Sequence, residues 1–595
     1  MPTYKAPVRD TRFVLEEVLE LGQYAALPGF GELTPPLVNS ILEEGGRFTE
    51  EVLQPLNQTG DRVGCTRHAD HTVSTPPGFK QAYRQFVEAG WGGLSGDPAY
   101  GGQGLPHVIS TAFEEYLISA NMAFSMYPGL TLGAIAAITA VGSDDQKALY
   151  LPPMVAGRWT GTMNLTESHC GTDLGLLRTR AEPAADGSYR LTGTKIFISA
   201  GEHDLAENII HLVLARIPGS PESVKGISLF IVPKFLVNAD GSLGARNGVS
   251  CGAIEEKMGI HGNATCVMNY EGATGYLVGE RDKGLRAMFI MMNAARLGVG
   301  LQGLAISEVA TQNAAAYARD RLQGRALGGP RNPGGPADPI IVHPDVRRML
   351  MTARAFNEGA RALALWGALQ VDLAHLASTP EARQDADDLI GLLTPVIKAW
   401  FTDQGYQNAT NAQQCFGGHG YVRDWGMEQF VRDARIAMVY EGTNGVQALD
   451  LVGRKLAANG GRALRLFMHE VSAGIEEARK NAATSEAAET LGCALADLQT
   501  ATSWLMRNAM ARPEHAGAAS TPYLCLMALV AMGHLWLRML VLAERTLAKG
   551  ESEFHSNKRI TAHYFFRHAL PETAVHRARV EVGAEPLMAL AAEAF

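Results

Sequence analysis

Hydrophobic positions recur every three or four residues over most of this chain, and one central stretch departs from that spacing. The helical spacing is clear in FKQAYRQFVEAGW and AFEEYLISANMAF, and again in the long run from Leu285 to Arg319. Between Trp159 and Glu280 the chain carries short β-rich runs separated by Gly, Pro and Asn, namely GTKIFIS, IIHLVLARI, GISLFIVP, TCVMNYEG and GYLVG. The pattern predicts a helical domain, then an all-β domain of sandwich or barrel type, then a return to helices.

These changes of pattern divide the chain into five segments. The segments are an N-terminal extension (1–36), a helical domain (37–158), a middle β domain (159–280), a second helical domain (281–455) and an Ala/Leu-rich helical extension (456–595). A Gly/Pro-rich stretch, RALGGPRNPGGPADP, predicts an exposed loop between two helices of the second helical domain. The predicted fold class is α+β, mostly α.

Composition and charge narrow the class of protein. At 595 residues, 46% hydrophobic and 19% charged, the chain is long and apolar enough for several folded domains. A net charge of −9 argues against a nucleic-acid partner and leaves small-molecule chemistry open. Seven scattered cysteines show neither metal-ligand spacing nor a disulfide framework, and the N-terminus does not have the pattern of a signal peptide. We therefore expect a cytoplasmic protein that uses no metal.

One apolar segment, Tyr523–Leu542, approaches the length of a membrane span. His534 and Arg538 interrupt it, and such residues are costly at the centre of a bilayer. We expect a buried helix of a C-terminal bundle here and no transmembrane segment, while peripheral membrane contact stays open.

The hexapeptide GVGLQG at Gly298–Gly303 has the spacing of a dinucleotide-binding GxGxxG motif. That motif requires a strand before it and a helix after it, whereas this hexapeptide lies inside one continuous helical pattern. Small residues at this spacing favour a close approach of two helices. We therefore reject a nucleotide-binding role for it.

The segment RIAMVYEGTN places a lone carboxylate, Glu441, at the end of an apolar run and just before a turn at Gly442 and Thr443. Loss of hydration in such surroundings disfavours the charged form of a carboxylate and raises its pKa. A raised pKa suits a general base that removes a proton from carbon near neutral pH. The alternative is an ordinary glutamate that caps a turn before the helix predicted by QALDLVGRKL, and on this segment alone that alternative is favoured.

Two further motifs reverse that preference, MNLTESHCGTDLG at Met163–Gly175 and QQCFGGHGY at Gln413–Tyr421. Together with YEGTN, and in this order, they resemble the flavin-dependent acyl-CoA dehydrogenase family, in register from about Glu50 to Lys455. The opening MPTYKAPVRDTRFVLEEV and the C-terminal extension resemble the larger bacterial branch that contains the 3-methylmercaptopropionyl-CoA dehydrogenases. The resemblance implies a second helical domain of four-helix type, a flavin between it and the β domain, and an extension that covers the tetramer surface of shorter members and leaves a homodimer.

The resemblance implies FAD as the cofactor and assigns β-domain residues to it. Leu165 and Thr166 present backbone and hydroxyl groups to the isoalloxazine edge, and Gly171 and Thr172 lie by the pyrophosphate. The other β-domain positions that match the family's flavin contacts are Met163, Phe197 and Ser199. The alternatives are a polar β-turn for TESHCGTD and a plain strand for KIFIS.

In the second helical domain the resemblance assigns residues that reach the FAD of a neighbouring subunit. Arg321 matches the arginine that pairs with the pyrophosphate, for which a bidentate guanidinium is suited. Gln414, Gly417 and Gly418 match the segment that receives the adenosine end, where paired glycines allow a close approach. The alternatives are a surface-helix arginine and a plain helix C-cap. The cofactor set of this domain is completed by Gln323, Thr443 and Asn444.

The implied reaction removes an α-proton and a β-hydride from a saturated acyl-CoA and yields the trans-2-enoyl-CoA. Glu441 matches the base, and Ala295 occupies the family's second location for a base. Glu167 and Glu308 are the next candidates, although neither matches a known base position. The positions that match substrate or CoA contacts are Thr172, Asn293, Arg296, Gly442 and Arg454; for the last, a CoA phosphate and a carboxylate partner are equally open.

The resemblance also implies an electron-transferring flavoprotein as electron acceptor and a role in β-oxidation or dimethylsulfoniopropionate degradation. The expected substrate is 3-(methylthio)propanoyl-CoA or a fatty acyl-CoA. Two alternatives stay open: an acyl-CoA oxidase, whose reduced flavin reacts with oxygen, and an inactive flavin- or CoA-binding scaffold.

Overall fold

A computed structural model describes residues 2–595 of the chain. These residues group into two compact units. The helical unit contains residues 2–46, 111–115 and 299–595, and the β-containing unit contains residues 47–110 and 116–298. The division of the chain into five segments stays a prediction.

The α-helices of the described chain are labelled in chain order. The first eight are α1 Val8–Phe13, α2 Pro35–Phe48, α3 Gln54–Val63, α4 Phe79–Glu88, α5 His107–Ala120, α6 Met122–Val141, α7 Asp144–Val155 and α8 Gly284–Asp320. The later ones are α9 Pro344–Leu376, α10 Pro380–Cys415, α11 Gly418–Tyr421, α12 Met427–Ala437, α13 Asn444–Asp450, α14 Arg462–Arg479, α15 Ala482–Asn508, α16 Pro513–Leu547, α17 Glu553–Tyr564, α18 Glu572–Val582 and α19 Glu585–Met588.

The β-strands lie in the β-containing unit. They are β1 Thr66–Arg67, β2 Val73–Ser74, β3 Trp159–Asn164, β4 Arg180–Pro183, β5 Tyr189–Ser199, β6 Asn208–Ala215, β7 Ser228–Pro233, β8 Phe235–Val237, β9 Leu243–Arg246, β10 Val249–Ile254 and β11 Thr265–Val278. A seven-stranded sheet runs β3-β6-β7-β11-β5-β4, with β10 paired to β11, and two further pairs are β1-β2 and β8-β9. This central sheet between helical segments confirms the predicted fold class.

The sequence separated TCVMNYEG from GYLVG as two strands, and this was wrong because β11 is continuous. Its first part pairs with β5 and β10, and its last three residues pair with β7. An extra residue, Gly272, bulges out of the β5 pairing with φ 66°, so the glycine bends the strand and does not end it. Strand β11 thereby joins the part of the sheet that contains β4, β5 and β10 to the part that contains β3, β6 and β7.

The apolar runs of β6 and β7 are buried on both faces. Leu212 and Leu214 belong to a core with α6 and α7, whereas Val213 and Ala215 belong to a second core with β10 and β11. Burial on both faces explains why IIHLVLARI reads as a continuous apolar run without polar alternation.

In the helical unit, the GVGLQG segment lies where α8 meets α10. A Cβ added at Gly303 would come within 2.3 Å of the Phe401 carbonyl oxygen, and one at Gly405 within 2.2 Å of the Gly303 oxygen. Only glycine allows this approach, which confirms the interpretation of these residues as a helix contact.

Three helices of the described chain are long and apolar enough to cross a membrane: α6, α8 and α16. Helix α16 carries the segment 523–542, and 83% of its apolar window is buried inside the protein. Its Trp536 indole donates to the Ala355 carbonyl on α9 at 3.0 Å. This packing agrees with a bundle helix, and the absence of a membrane span stays a prediction.

A buried ion cluster connects distant segments of the helical unit. The Arg361 guanidinium on α9 donates to Glu115 on α5 at 2.6 to 3.0 Å, to Glu308 on α8 at 3.1 Å and to Asp10 on α1. Lys558 on α17 pairs with the same Asp10. Both terminal extensions are therefore bound to the helices between them.

Candidate active site

The TESHCGTD turn of the β-containing unit is held by a buried carboxylate. The Glu167 carboxylate accepts hydrogen bonds from the Lys195 ammonium at 2.9 Å, the Arg178 amide at 2.8 Å, and the Thr179 amide and hydroxyl at 3.0 and 2.6 Å. Lys195 also donates to the Leu165 carbonyl at 2.9 Å. These contacts pin residues 165–179 to β5.

The ion pair has opposite effects on its two members. Burial alone would raise the pKa of Glu167, but the Lys195 ammonium and the Thr179 hydroxyl lower it to about 2. Burial lowers the pKa of Lys195 to about 8, against the attraction of Glu167. Both groups are charged near neutral pH, so Glu167 does not have the properties of a base that works there.

The assigned flavin residues of this turn divide into packed and exposed ones. The side chains of Met163 and Leu165 pack on the core beside α6 and α7, which leaves the backbone of Leu165 for a ligand. The Thr166 carbonyl accepts from the Ile196 amide at 2.9 Å. Gly171 and Thr172 are exposed at the tip. The segment is thus a polar turn tied to β5, and its contacts with a flavin stay a prediction.

Phe197 occupies an irregular position in β5. Two residues, Ile196 and Phe197, lie opposite one residue of β11, and Phe197 has φ 60° and a side chain that is 60% exposed. The bulge turns an aromatic ring outward from a strand that is otherwise half-buried. Ser199, two residues later, is back in regular pairing with Thr265. The sequence did not predict this bulge.

The two assigned substrate residues on α8 contact each other. The Arg296 guanidinium is buried and donates to the Asn293 amide oxygen at 3.2 Å, and it lies 5.8 Å from the Phe289 ring centre. Asn293 itself is exposed. The structure therefore brings these two residues together.

Arg321 directly follows the last residue of α8, its amide donates to the Tyr317 carbonyl at 2.8 Å, and its side chain is exposed; whether it reaches a cofactor or is an ordinary surface arginine stays a prediction. The loop after it is well ordered by Asp338, whose buried carboxylate accepts from the amides of Ala326, Arg331 and Asn332 at 2.7 to 3.0 Å. These backbone hydrogen bonds, that of Ala326 first, lower the pKa of Asp338 to about 2. The Gln323 amide donates to the Asp338 carbonyl at 2.9 Å, which fixes the backbone beside Arg321.

The paired glycines follow the end of α10. The Gly417 amide donates to the Gln414 carbonyl at 2.9 Å, and Gly417 has φ 57°, a conformation that favours glycine. The Cβ positions of Gly417 and Gly418 face open space. Beyond them the Tyr421 side chain is 86% exposed. The C-cap of α10 is Phe416, and Gly417 stands between α10 and α11; a cofactor contact by this segment stays a prediction.

Glu441 is half-buried in the connection between α12 and α13. Its φ of 57° and that of Gly442, 85°, make two consecutive left-handed residues. The residue that caps α13 is Thr443, whose hydroxyl accepts from the Val446 amide at 3.4 Å. Glu441 is therefore not the helix cap, and its role as a base or as an ordinary turn residue stays a prediction.

Two other assigned residues have structural partners. The Asn444 amide group donates to Ala399, Thr402 and Asp403 on α10 at 2.6 to 3.1 Å and accepts from Lys398 at 2.9 Å. Its side chain is thus committed to α10, and a flavin contact by Asn444 or Thr443 stays a prediction. Arg454 pairs with Asp450 and is largely exposed, which is the carboxylate-pairing alternative.

The two fallback bases both belong to structural ion clusters. Glu167 is bound to Lys195, and Glu308 to Arg361 and, at 2.9 Å, to Gln312. The sequence missed Lys195, Lys398 and Gln447 as supports of the candidate site. The only available signals were the positions of Lys195 at the start of KIFIS and of Lys398 in an apolar helical stretch. Neither position reveals which group the lysine contacts.

Comparison with known proteins identifies the class. Models of the acyl-CoA dehydrogenase N-terminal, middle and C-terminal domains match residues 39–158, 162–273 and 282–456, and a model described as acetyl-CoA dehydrogenase C-terminal like matches 467–591. The chain belongs to the acyl-CoA dehydrogenase family of oxidoreductases.

Individual relatives cover nearly the whole chain. The 3-methylmercaptopropionyl-CoA dehydrogenase of Ruegeria pomeroyi is 45% identical over 97% of this chain and 98% of its own. The broad-specificity linear acyl-CoA dehydrogenase of Mycobacterium tuberculosis is 34% identical over 100% of both chains. The structure of Caenorhabditis elegans ACDH-11 in complex with C11-CoA matches with a TM-score of 0.78 over 96% of this chain and 92% of its own, at 19% identity, which shows a shared fold.

Proposed function

We propose that this acyl-CoA dehydrogenase converts 3-(methylthio)propanoyl-CoA to the trans-2-enoyl thioester. The observation that supports this substrate is the 45% identity to a 3-methylmercaptopropionyl-CoA dehydrogenase, which extends over both terminal extensions of the chain. A linear fatty acyl-CoA is the second candidate, supported by the full-length match to the linear acyl-CoA dehydrogenase.

The residues of the β-containing unit fit an FAD cofactor. A rigidly held turn presents the exposed Thr172 and the half-buried Thr166, and the bulge in β5 presents the exposed ring of Phe197. Hydroxyl and backbone groups can hydrogen-bond the polar edge of a flavin, while an aromatic side chain can stack on its ring. When bound, FAD supplies the acceptor for the hydride that leaves the β-carbon.

We assign the α-proton to Glu441. Its carboxylate takes the proton from the α-carbon, and the electron pair of that C–H bond becomes the second bond between the α- and β-carbons as the β-hydride leaves. The structural roles of Glu167 and Glu308 support this assignment, because both carboxylates are already paired with buried cations.

Glu441→Gln tests the assignment. Glutamine keeps the shape and can still hydrogen-bond, but it cannot accept the α-proton, so the variant should bind FAD and acyl-CoA and fail to bleach the flavin in a single anaerobic turnover. The matched control is Glu428→Gln, which removes a carboxylate that pairs with Arg432 on α12. A flavin bleaching rate of Glu441→Gln within about threefold of wild type would show that another group is the base.

Steady-state rates separate the two substrate candidates. Propionyl-, 3-(methylthio)propanoyl-, octanoyl- and palmitoyl-CoA should be compared with one electron acceptor, by kcat/KM. We expect the highest value for 3-(methylthio)propanoyl-CoA. A higher value for octanoyl- or palmitoyl-CoA would favour the linear fatty acyl-CoA instead.

We further propose a cytoplasmic homodimer that passes electrons to an electron-transferring flavoprotein. The resemblance assigns Arg321 and Gly418 to the FAD of a second copy, and both are exposed, as such a contact requires. All seven cysteines are free, as a reducing compartment allows. Rapid reoxidation of the reduced enzyme by oxygen would favour the oxidase alternative. Failure of every acyl-CoA to bleach the flavin would favour the inactive scaffold.

A further inference from the structure

The backbone that carries Glu441 is strained. A non-glycine residue in the left-handed region is strained, and such conformations persist where the surrounding structure holds them in place. Glu441 and Gly442 are left-handed in succession, so this segment continues neither of the neighbouring helices. What holds these two carbonyl oxygens therefore decides the geometry of the segment.

Each of the two carbonyl oxygens receives a hydrogen bond from a side chain with 0% exposure. The Gln447 amide donates to the Glu441 oxygen at 3.1 Å, and the Lys398 ammonium donates to the Gly442 oxygen at 2.7 Å. The packing is tight, because a Cβ added at Gly442 would lie 2.6 Å from the Gln447 amide nitrogen. The strained pair is thus held from two sides by fully buried donors.

Lys398 also connects this segment to the middle of α10. Its ammonium donates to the Asn444 amide oxygen at 2.9 Å, and the Asn444 amide donates in turn to Asp403, one turn further along α10. Burial of an ammonium is costly unless it is hydrogen-bonded. The buried Lys398 ammonium donates to the main-chain carbonyl of Gly442, next to the proposed base. Because burial of this charge is costly, we infer that it serves more than the stability of the loop.

We propose that Lys398 and Gln447 are positioning residues that set the direction of the Glu441 carboxylate. They act on the backbone on either side of its Cα and do not contact substrate. This inference rests on the proposed role of Glu441 as the base. Proton transfer from carbon is sensitive to placement, and a shift of about 1 Å in a reacting group can cost about a hundredfold in rate.

The test uses the FAD-loaded full-length enzyme and the variants Lys398→Met and Gln447→Met. Methionine has a similar length and no donor. We expect the anaerobic rate of flavin bleaching at saturating 3-(methylthio)propanoyl-CoA to fall by about tenfold to a hundredfold, with KM within about threefold of wild type. Lys398→Gln, which restores a donor without the charge, should recover part of the lost rate.

Lys558→Met is the matched control for loss of a buried lysine. Lys558 is also almost fully buried, but its partners are Asp10 and Glu358 in the ion cluster of the helical unit. This control should lose thermal stability and keep its bleaching rate per bound flavin. If Lys398→Met also lowers only the thermal stability and leaves the bleaching rate per bound flavin unchanged, Lys398 has a purely structural role like that of Lys558, and the inference is overturned.

Gln447→Met decides the matter if Lys398→Met does not fold, because it removes only an uncharged donor. A bleaching rate of Gln447→Met within about twofold of wild type overturns the inference. Failure of the proposed function looks different: wild type itself would not bleach with any acyl-CoA, or Glu441→Gln would bleach as wild type does.

Discussion

Replacement of Glu167 by glutamine should weaken FAD binding without removing the ability of the FAD-loaded enzyme to oxidise its substrate. The carboxylate receives four hydrogen bonds that fix the turn carrying Thr166, Gly171 and Thr172. Glutamine keeps the size but offers one acceptor oxygen, and it leaves the Lys195 ammonium buried without its counter-ion. We expect the turn to loosen and FAD affinity to fall, while the base is untouched.

The size of the effect follows from the ion pair. The difference between the ordinary pKa of 4.5 and the value of about 2 for Glu167 corresponds to about 3 kcal/mol in favour of the charged form in the folded protein. The lowered pKa of Lys195 shows that burial of the ammonium offsets part of this gain. Loss of one partner of a buried pair typically costs about 3–5 kcal/mol, and because glutamine keeps one acceptor oxygen we expect about 2–3 kcal/mol.

The assay is titration of the apoprotein with FAD, followed by flavin fluorescence. A loss of about 2–3 kcal/mol, if expressed in cofactor binding, raises Kd by about 30- to 150-fold. The FAD-saturated variant should still bleach with acyl-CoA, in contrast to Glu441→Gln. The matched control is Glu202→Gln, because Glu202 is equally buried in the β-containing unit but pairs with Lys234 and Arg246, away from the turn.

An FAD Kd for Glu167→Gln within about twofold of wild type would refute the reasoning, since the turn would then hold without its carboxylate. The pH dependence gives a second check. Because the folded pKa is depressed, the stabilisation by Glu167 is fully present above about pH 4.5 and is lost as the pH falls towards about 2. FAD retention by wild type should therefore decline in this window, and that of Glu167→Gln should start low and decline less.

Three further changes test other parts of the structure. Arg321→Ala should weaken FAD binding and dimer formation together, seen by titration and sedimentation; if both are unchanged, Arg321 is an ordinary surface residue. Ala295→Glu in the Glu441→Gln background should restore part of the flavin bleaching, and no recovery would mean that the two positions do not face the same substrate carbon. Arg361→Met should cost the enzyme about 3–5 kcal/mol in chemical unfolding, because it leaves the buried Glu115 without a cation and removes a partner of Glu308 and Asp10. The exposed pair control Arg479→Met should cost at most about 1 kcal/mol, and equal losses would refute a special role for the cluster.

The sequence alone determined the class of fold and the family. The change from helical to β-rich spacing located the strands between 159 and 278, and the helical spacing from Leu285 to Arg319 corresponds to α8 within one residue at each end. These predictions succeeded because periodicity reports which face of an element is buried. The same reasoning identified GVGLQG as a helix contact, because the motif had the wrong local structure for a nucleotide.

Only the tertiary structure decided how the assigned residues are held. The strand β11 is one element because a glycine bulge bends it, and Phe197 faces outward because one extra residue lies in β5. Periodicity gives no signal for either, since a bulge depends on the pairing partner. The sequence likewise offered Glu167 and Glu308 as reserve bases, and only the structure shows that they pair with Lys195 and Arg361.

The supports of Glu441 show the same limit most clearly. The sequence singled out the glutamate from its motif, but Lys398 lies 43 positions earlier in a helix, and its partner is a main-chain oxygen. A hydrogen bond to the backbone leaves no complementary residue type in the sequence, so no pattern could have predicted it. The sequence singles out Glu441 as the candidate base, whereas its strained backbone and the two buried donors that hold it exist only in the folded protein.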